Sequence, residues 1–148
     1  VRIKSAEEML SKVKEHWSKQ DYGIFSAAVA DYRPTIVSDQ KIKKNDDNLH
    51  IDFVKNPDIL AWAGQHKTAQ KLVGFALETN NATEYGMKKL QSKNLDMIVI
   101  NTLEDKGAGF AHDTNKISIL DSHNNLLSFE LKPKSAVATD IVDYMIKL

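Results

Sequence analysis

The fold is decided by residues 71–101, which read KLVGFALETNNATEYGMKKLQSKNLDMIVIN. Two short, mostly apolar runs lie near its ends, Leu72 to Ala76 and Asp96 to Asn101. Such runs are typical of strands covered on both faces, as in a parallel sheet. Between them the sequence predicts a helix from Asn80 or Asn81 to about Lys93. Strand, helix and strand together form a βαβ unit, which predicts two parallel strands with a helix packed across them.

The flanking segments extend this alternation of strands and helices. Upstream, Ser5 and Glu8 have capping-box spacing and predict a helix over about residues 6–18. A further buried strand is predicted within Asp21 to Ala30, and the polar, lysine-rich stretch from Pro34 to Asn48 is predicted to be an exposed loop. The other predicted elements are a strand with one exposed face at Leu49 to Val54, a helix starting at Asn56-Pro57-Asp58, a hairpin of Ile117–Leu120 with Leu127–Leu131, and a helix from Ala136 to Leu148.

This order predicts an α/β fold with a mostly parallel sheet, helices on both faces and an antiparallel edge hairpin. The chain has 148 residues, which suits a single domain with one core. We find no internal repeat and no domain linker.

The composition excludes several function classes. Twenty basic and twenty acidic side chains cancel, so no overall field attracts nucleic acid or an anionic membrane. The chain has no cysteine, which excludes disulfides, a thiolate nucleophile and cysteine-ligated metals. No apolar run approaches the roughly 20 residues of a membrane span. We therefore expect a cytoplasmic protein whose phosphate-binding chemistry comes from local lysines.

Candidate ligand contacts follow the predicted strands, where ligands bind in open α/β sheets. They are Asp31, the Asn56-Pro57-Asp58-Ile59 turn, Phe75 within Gly74–Thr79, and Asn101. Each also has a simpler structural interpretation as a turn, cap or core residue. Lys89 and Lys93 lie four apart on a predicted helix and suit a polyphosphate, although on the residues alone a solvated basic stripe is the simpler interpretation. Neither common glycine-rich phosphate loop is present, so the residues alone indicate an α/β domain with a nucleotide or phosphate ligand.

Five motifs in order give the sequence a more specific resemblance. They are Ala27-Ala28-Val29-Ala30-Asp31-Tyr32, Lys41-Ile42-Lys43-Lys44, Asn56-Pro57-Asp58-Ile59-Leu60, Val73-Gly74-Phe75-Ala76-Leu77-Glu78-Thr79, and Lys89-x-x-x-Lys93-Asn94-Leu95-Asp96 followed by Asn101. In order and spacing these motifs resemble the bacterial phosphopantothenoylcysteine synthetases.

The resemblance implies a Rossmann-like fold, a homodimer and a CTP-dependent ligase of coenzyme A biosynthesis. In that reaction the carboxylate of 4'-phosphopantothenate attacks CTP, and the amine of L-cysteine then displaces CMP from the acyl-cytidylate. By position, the resemblance implies that CTP is bound by Asp31, Lys41, Asn56, Pro57, Asp58, Ile59, Phe75, Lys89 and Lys93. It also implies Mg²⁺ near Asp31, and Lys41 is the residue for which we expect a catalytic role, on a flap closing over the intermediate.

The sequence departs from that family in one respect. Its members begin with a glycine-rich strand-turn-helix that has no match here, so we expect residues 1–148 to be a single ligase domain lacking that segment. A flavin-dependent decarboxylase, which some members carry upstream, would be a partner. Two alternatives stay open: a non-catalytic nucleotide-binding or dimerisation module, and a nicotinamide-dependent oxidoreductase domain.

Overall fold

The computed structural model describes residues 1–42, 49–78, 81–102 and 112–148. Lys43, Lys44 and Thr79, which belong to the sequence motifs, lie outside the described residues. Along the described chain the elements are α1 (Ala6–His16), a 3₁₀ turn (Trp17–Lys19), β1 (Tyr22–Phe25), β2 (Tyr32–Pro34), β3 (Phe53–Lys55), α2 (Ile59–Gln65), β4 (Lys71–Glu78), α3 (Ala82–Ser92), β5 (Met97–Thr102), β6 (Thr114–Asn115), β7 (Ile117–Asp121), β8 (Leu126–Ser128), β9 (Lys132–Pro133) and α4 (Lys134–Met145).

Five strands form the central sheet in the order β1-β4-β5-β7-β8. β1, β4 and β5 are parallel, and β7 and β8 are antiparallel to their neighbours. The hairpin of β7 and β8 lies at the edge of the sheet, where the sequence placed it. The predicted α/β class, with parallel strands joined by helical crossovers and an antiparallel edge hairpin, is confirmed.

Alternating side chains of the central strands supply two separate hydrophobic layers. Ile98 and Ile100 of β5 pack in one layer with residues of α2, α3 and the 3₁₀ turn. Met97 and Val99 pack in the other layer with α4. Because successive strand residues point to opposite faces, both faces need a helical cover to remove their apolar surface from water. The predicted placement of helices on both faces is therefore confirmed.

The first strand is shorter and more exposed than the sequence predicted. β1 ends at Phe25, and residues 26–30 are exposed and belong to no strand. Tyr22 and Ile24 remain 42% and 44% exposed. These two side chains lie on the same face of β1, so that face is uncovered and the prediction of a strand covered on both faces was wrong.

A two-stranded ribbon of β2 and β3 stands outside the central sheet. Its register pairs Tyr32 with Lys55 and Pro34 with Phe53. The sequence predicted a strand from Leu49, but β3 begins only at Phe53, and its three residues are all exposed. The base of the ribbon is closed by the Asn56 N–H, which donates to the Asp31 carbonyl at 2.7 Å.

Helix α2 begins two residues later than the sequence predicted. The N-cap is Asp58, whose Oδ1 accepts from the Ala61 N–H at 2.9 Å, and Ile59 is the first helical residue. Asn56 had been expected to cap this helix, but its backbone N–H closes the ribbon instead. No helix within the described ranges is long and apolar enough to cross a membrane.

Candidate phosphate-binding pocket

The carboxyl ends of β1 and β4 meet the start of α2 and the end of α3 in a pocket of about 270 Å³. Eight of the nine residues that the sequence analysis proposed as ligand contacts line this pocket. They are Asp31, Asn56, Pro57, Asp58, Ile59, Phe75, Lys89 and Lys93. Residues more than sixty positions apart in sequence therefore come together at the edge of the sheet where open α/β sheets bind ligands.

Two lysines one helical turn apart supply the positive charge of the pocket. Lys89 lies in the last turn of α3 and Lys93 is the residue that caps this helix. The Lys89 ammonium donates to the Phe75 carbonyl at 2.8 Å, and the Lys93 ammonium lies 2.9 Å from Asp58 Oδ2. Both cations are thus held on the pocket wall by contacts with β4 and α2.

Asp58 has two functions in the wall of the pocket. Oδ1 caps α2, whereas Oδ2 pairs with Lys93. Partial burial acts to raise the pKa of Asp58, but the Ala61 N–H and the Lys93 ammonium outweigh it and hold this pKa below its ordinary value. The carboxylate is therefore charged at neutral pH and acts as the counter-ion of Lys93.

Asn56 is held rigidly at the rim by both ends of its amide. Its Nδ2 donates to the Ala30 carbonyl at 2.8 Å, and its Oδ1 accepts from Arg33 at 3.1 Å. Arg33 also donates to the Lys55 carbonyl and pairs with Glu7 of α1. These contacts join α1, the base of the ribbon and the rim. The Asn56 amide therefore braces the pocket, a function that its position in the sequence did not reveal.

The position of Lys93 depends on a close approach between α3 and α2. Asn94 adopts a left-handed conformation with φ 51°, and the Leu95 N–H donates to the Leu90 carbonyl at 2.9 Å, which ends α3 in a Schellman-type turn. The Asn94 side chain donates to the Gly64 carbonyl at 2.8 Å. A Cβ at Gly64 would collide with the backbone oxygen of Lys93, so only glycine permits this contact.

The remaining predicted residues differ in how they face the pocket. Asp31 is exposed at its rim, Phe75 is half-buried in its wall, and Ile59 is 4% exposed and belongs to the core. Lys41 is exposed and is not among the residues that line the pocket. Its catalytic role stays a prediction.

Seven residues of the pocket lining were not among the predicted contacts. Ala27, Val29, Ala30 and Leu60 belong to the quoted motifs, whereas Met9 of α1, Phe25 at the end of β1 and Lys55 at the end of β3 lie outside those motifs. The position of Phe25 at the carboxyl end of a strand was a usable signal. Lys55 had none, because the ribbon that places it was not predicted.

The fold and the pocket together define the class of protein. It is an α/β domain with two adjacent cations at the carboxyl edge of its sheet. The family model for the DNA/pantothenate metabolism flavoprotein C-terminal domain matches residues 1–148. The chain therefore belongs to this family.

Several known proteins are similar to the chain over nearly its whole length. A cysteine/cysteine sulfinic acid decarboxylase from an unknown prokaryotic organism is 45% identical over 149 residues, covering 100% of this chain and 42% of that protein. The coenzyme A biosynthesis bifunctional protein CoaBC of Haemophilus influenzae is 41% identical over 99% of this chain and 36% of its own length. The chain thus spans about two fifths of the length of these curated relatives.

The solved structures agree with the fold. The crystal structure of the C-terminal domain of a coenzyme A biosynthesis bifunctional protein CoaBC has a TM-score of 0.79 and 34% identity, covering 97% of this chain and 62% of that chain. The DNA/pantothenate metabolism flavoprotein from Streptococcus pneumoniae has a TM-score of 0.74 at 18% identity, covering 99% of this chain and 69% of that chain, which shows likeness of fold alone.

These findings correct the identification made from the sequence. The family that matches is described as the C-terminal domain of a DNA/pantothenate metabolism flavoprotein, and the relative at 45% identity is named a decarboxylase; neither description names a ligase. The assignment to phosphopantothenoylcysteine synthetase, and with it the CTP-dependent ligase activity, is replaced by membership of this family. The description of the family also does not match the two alternatives, a non-catalytic nucleotide-binding module and a nicotinamide-dependent oxidoreductase domain. The identification went wrong for a physical reason. Motifs at strand ends indicate the fold of a domain, whereas an activity assigned from those motifs rests on analogy.

The expected cofactors are corrected together with the activity. CTP and Mg²⁺ followed from the ligase resemblance alone, and the family description refers to a flavoprotein instead. In the described part of the chain, no three His, Cys, Asp or Glu side chains cluster as they would to hold a metal ion. The assignment of Asp31 as a magnesium ligand is withdrawn, and its place at the rim of the pocket is what the structure retains.

Proposed function

We propose that this chain is a domain of a coenzyme A biosynthesis protein and that its pocket binds a phosphate ester, 4'-phosphopantothenate. The observation that carries this proposal is the pair of lysines, Lys89 and Lys93, at the carboxyl edge of the sheet. Each ammonium presents three donors, and two of them within one helical turn suit a phosphate group that carries up to two negative charges.

The rest of the pocket suits the remainder of such a molecule. Phe75 and Leu60 offer apolar surface beside the cations, while Asp31 and the rim around Asn56 provide polar groups. Small-molecule sites commonly combine apolar walls with a few fixed polar groups in this way. The lysines would hold the phosphate, and the apolar wall would hold the aliphatic part of the ligand.

The names of two relatives support the proposed place of this chain in coenzyme A biosynthesis. These relatives, from Bacillus subtilis (strain 168) and Haemophilus influenzae, are named for coenzyme A biosynthesis and are 37% and 41% identical to this chain. The chain covers only 35% and 36% of those proteins, so a flavin-dependent decarboxylase remains a proposed upstream partner. The cytoplasmic location expected from the sequence is part of the same proposal.

A second candidate function comes from the relative at 45% identity, which is named for decarboxylation of cysteine or cysteine sulfinic acid. In that case a protein containing this domain would act on L-cysteine or its sulfinic acid, with a flavin supplying the redox chemistry. The lysine pair fits the phosphate of FMN. Among the described residues, the aromatic side chains that line the pocket are Phe25 and Phe75, and Phe25 is also in edge contact with Trp17 at 6.1 Å between ring centroids.

Calorimetric titration with 4'-phosphopantothenate, pantothenate, FMN and L-cysteine tests these candidates. We expect 4'-phosphopantothenate to bind and pantothenate, which lacks the phosphate, to bind much more weakly. Lys89→Ala or Lys93→Ala should weaken binding by roughly 1.5–3 kcal/mol, the range for a hydrogen bond to a charged group. Equal binding of the two compounds would contradict a phosphate site, and tight binding of FMN alone would favour the second candidate.

The expected homodimer is also part of the proposal. The ribbon and its flanks expose large apolar side chains, among them Tyr32 at 60%, Ile36 at 83% and Phe53 at 59%. Exposed apolar side chains close together in sequence and in one ribbon would suit an interaction site. Light scattering coupled to gel filtration should give twice the monomer mass, and Ile36→Lys with Phe53→Lys should reduce that mass to the monomer. A wild-type monomer at micromolar concentration would contradict the dimer.

A further inference from the structure

The pair formed by Asp58 and Lys93 has a geometry that bears on how tightly the pocket binds ligands. Oδ1 of Asp58 is fixed by the Ala61 N–H at 2.9 Å, while Oδ2 lies 2.9 Å from the Lys93 ammonium. The carboxylate cannot turn away without uncapping α2. The Lys93 side chain, on its flexible four-carbon stem, can move. When an anion enters, Lys93 is therefore the partner that must adjust, and Asp58 stays.

The carboxylate that stays reduces the attraction of the pocket for anions. The charged residues of the lining are Asp31, Lys55, Asp58, Lys89 and Lys93, three positive and two negative. The ion pair is partly exposed, with 24% of the Lys93 side chain and 47% of the Asp58 side chain accessible, so solvent weakens it without removing it. An anion must compete with Asp58 for Lys93 and also meets repulsion from the same carboxylate.

We propose that Asp58 is an affinity-setting residue, an internal competitor for Lys93 that weakens binding of the phosphate group, so that occupancy of the pocket requires a phosphate ester whose remaining groups add contacts of their own. The inference rests on the proposed function of the pocket and concerns how tightly the pocket binds. The lowered pKa of Asp58 is consistent with it, because the competitor stays ionised at neutral pH.

The chain offers substitutions that separate this role from the structural one. Asp58→Asn removes the charge but keeps a side chain that is as good an N-cap as aspartate. Asp58→Ala removes both the charge and the cap. Glu84→Gln is the matched control, because Glu84 pairs with Lys88 on the exposed surface of α3 and lies outside the pocket lining.

The test measures binding of inorganic phosphate and of 4'-phosphopantothenate by calorimetry, with thermal unfolding of each variant alongside. Asp58→Asn should bind inorganic phosphate about three- to tenfold more tightly than wild type, the size expected for removing one nearby partly solvated charge. The gain for 4'-phosphopantothenate should be of similar size, because both ligands meet the carboxylate through their phosphate group. The midpoint of unfolding should be almost unchanged, and Glu84→Gln should bind as wild type does.

A double-mutant cycle decides whether Lys93 transmits the effect. In a Lys93→Ala background, Asp58→Asn should change phosphate affinity much less, because the cation for which Asp58 competes is gone. Weaker phosphate binding by Asp58→Asn, or the same gain with and without Lys93, would overturn the inference while leaving the phosphate site in place. If neither wild type nor Asp58→Asn binds either ligand, the inference and the proposed function are both wrong.

Discussion

At the scale of single residues, the pocket depends on a backbone contact between Gly64 and Lys93 that leaves no room for a Cβ atom at position 64. The backbone of Gly64 in α2 touches the backbone of Lys93 at the end of α3, and Asn94 closes the contact with a hydrogen bond to the Gly64 carbonyl. Lys93, a proposed ligand contact, is therefore positioned by residues that do not line the pocket. Substitutions at these two positions should affect binding without touching a ligand.

Gly64→Ala should destabilise the protein by about 1–3 kcal/mol, because its Cβ would collide with the Lys93 backbone and force the two helices apart. It should also weaken phosphate-ester binding, since Lys93 moves with that backbone. Denaturant unfolding and calorimetry check the two effects. The companion variant Asn94→Gly keeps the left-handed conformation and loses only the hydrogen bond, so its cost should be smaller, roughly 1 kcal/mol. A Gly64→Ala protein as stable as wild type would contradict the close contact.

A second residue-scale prediction concerns Asp121, which is 2% exposed at the end of β7. It accepts hydrogen bonds from the His123 and Asn125 backbone and from the Tyr144 hydroxyl at 2.7 Å, which ties the hairpin turn to α4. Burial, together with the Asp121 carboxylate beside it, raises the pKa of Tyr144 to about 12. The folded state therefore retains the phenol proton longer than the unfolded state does.

The sign of the resulting pH dependence follows from that difference. A raised pKa contributes stability that is fully present below the unfolded value of about 10 and is lost as the pH rises through the folded value. Tyr144→Phe should cost roughly 1.5 kcal/mol at pH 7, and its difference from wild type should shrink between pH 10 and 12. Urea unfolding of both proteins across that range checks this. A constant difference would show that the hydrogen bond does not carry the effect.

At the scale of elements, Arg33 at the start of the ribbon joins three parts of the chain. It reaches Glu7 of α1, the Lys55 carbonyl at the end of β3, and the Asn56 side chain at the pocket rim. The ribbon and its flanks expose several large apolar side chains, whereas the rim belongs to the pocket. The contacts of Arg33 therefore fix the position of the ribbon relative to the rim of the pocket.

Arg33→Lys should loosen this junction, because an ammonium cannot reproduce the planar fork that bonds several acceptors at once. We expect a loss of about 1–2 kcal/mol in unfolding free energy and a weaker phosphate-ester affinity. Glu7→Gln is the control: it removes only a surface ion pair, and its cost should stay below about 1 kcal/mol. Equal effects of the two variants would mean that the contacts with Asn56 and Lys55 contribute nothing.

The elements that the sequence predicted best are those with strong local patterns. β4, α3 and β5 lie close to their expected bounds, because buried runs and helix boundaries are written in consecutive residues. The limits of β1 and α2 were less predictable, since the exposure of Ile24 and the fate of Asn56 depend on neighbours far along the chain. Lys89 and Lys93 were paired by their four-residue spacing on a helix, and their grouping with Asp58 came from the resemblance. The pairing of Lys93 with Asp58 required the structure.

At the scale of the whole molecule, two layers of helices cover a sheet that changes from parallel to antiparallel at β7. The pocket lies at the parallel end, where α1, β1, β3, α2, β4 and α3 contribute to its lining, whereas the antiparallel hairpin and α4 contribute none of it. The proposed binding pocket therefore lies in a different part of the fold from the contact between Asp121 and α4. Variants at Tyr144 should leave phosphate-ester affinity unchanged, and calorimetry on Tyr144→Phe checks this separation.

The exposed flank of the ribbon also affects how readily the protein associates in concentrated solution. Ile36 and Val37 are 83% and 81% exposed, and the formal net charge of the chain is zero at pH 7. Long-range repulsion between molecules is then weakest at neutral pH, where apolar patches can meet most easily. Concentrated solutions should scatter light most strongly near pH 7 and clear when the pH is moved in either direction. The same surface that would join two copies into a dimer thus makes neutral buffers the poorest choice for storage.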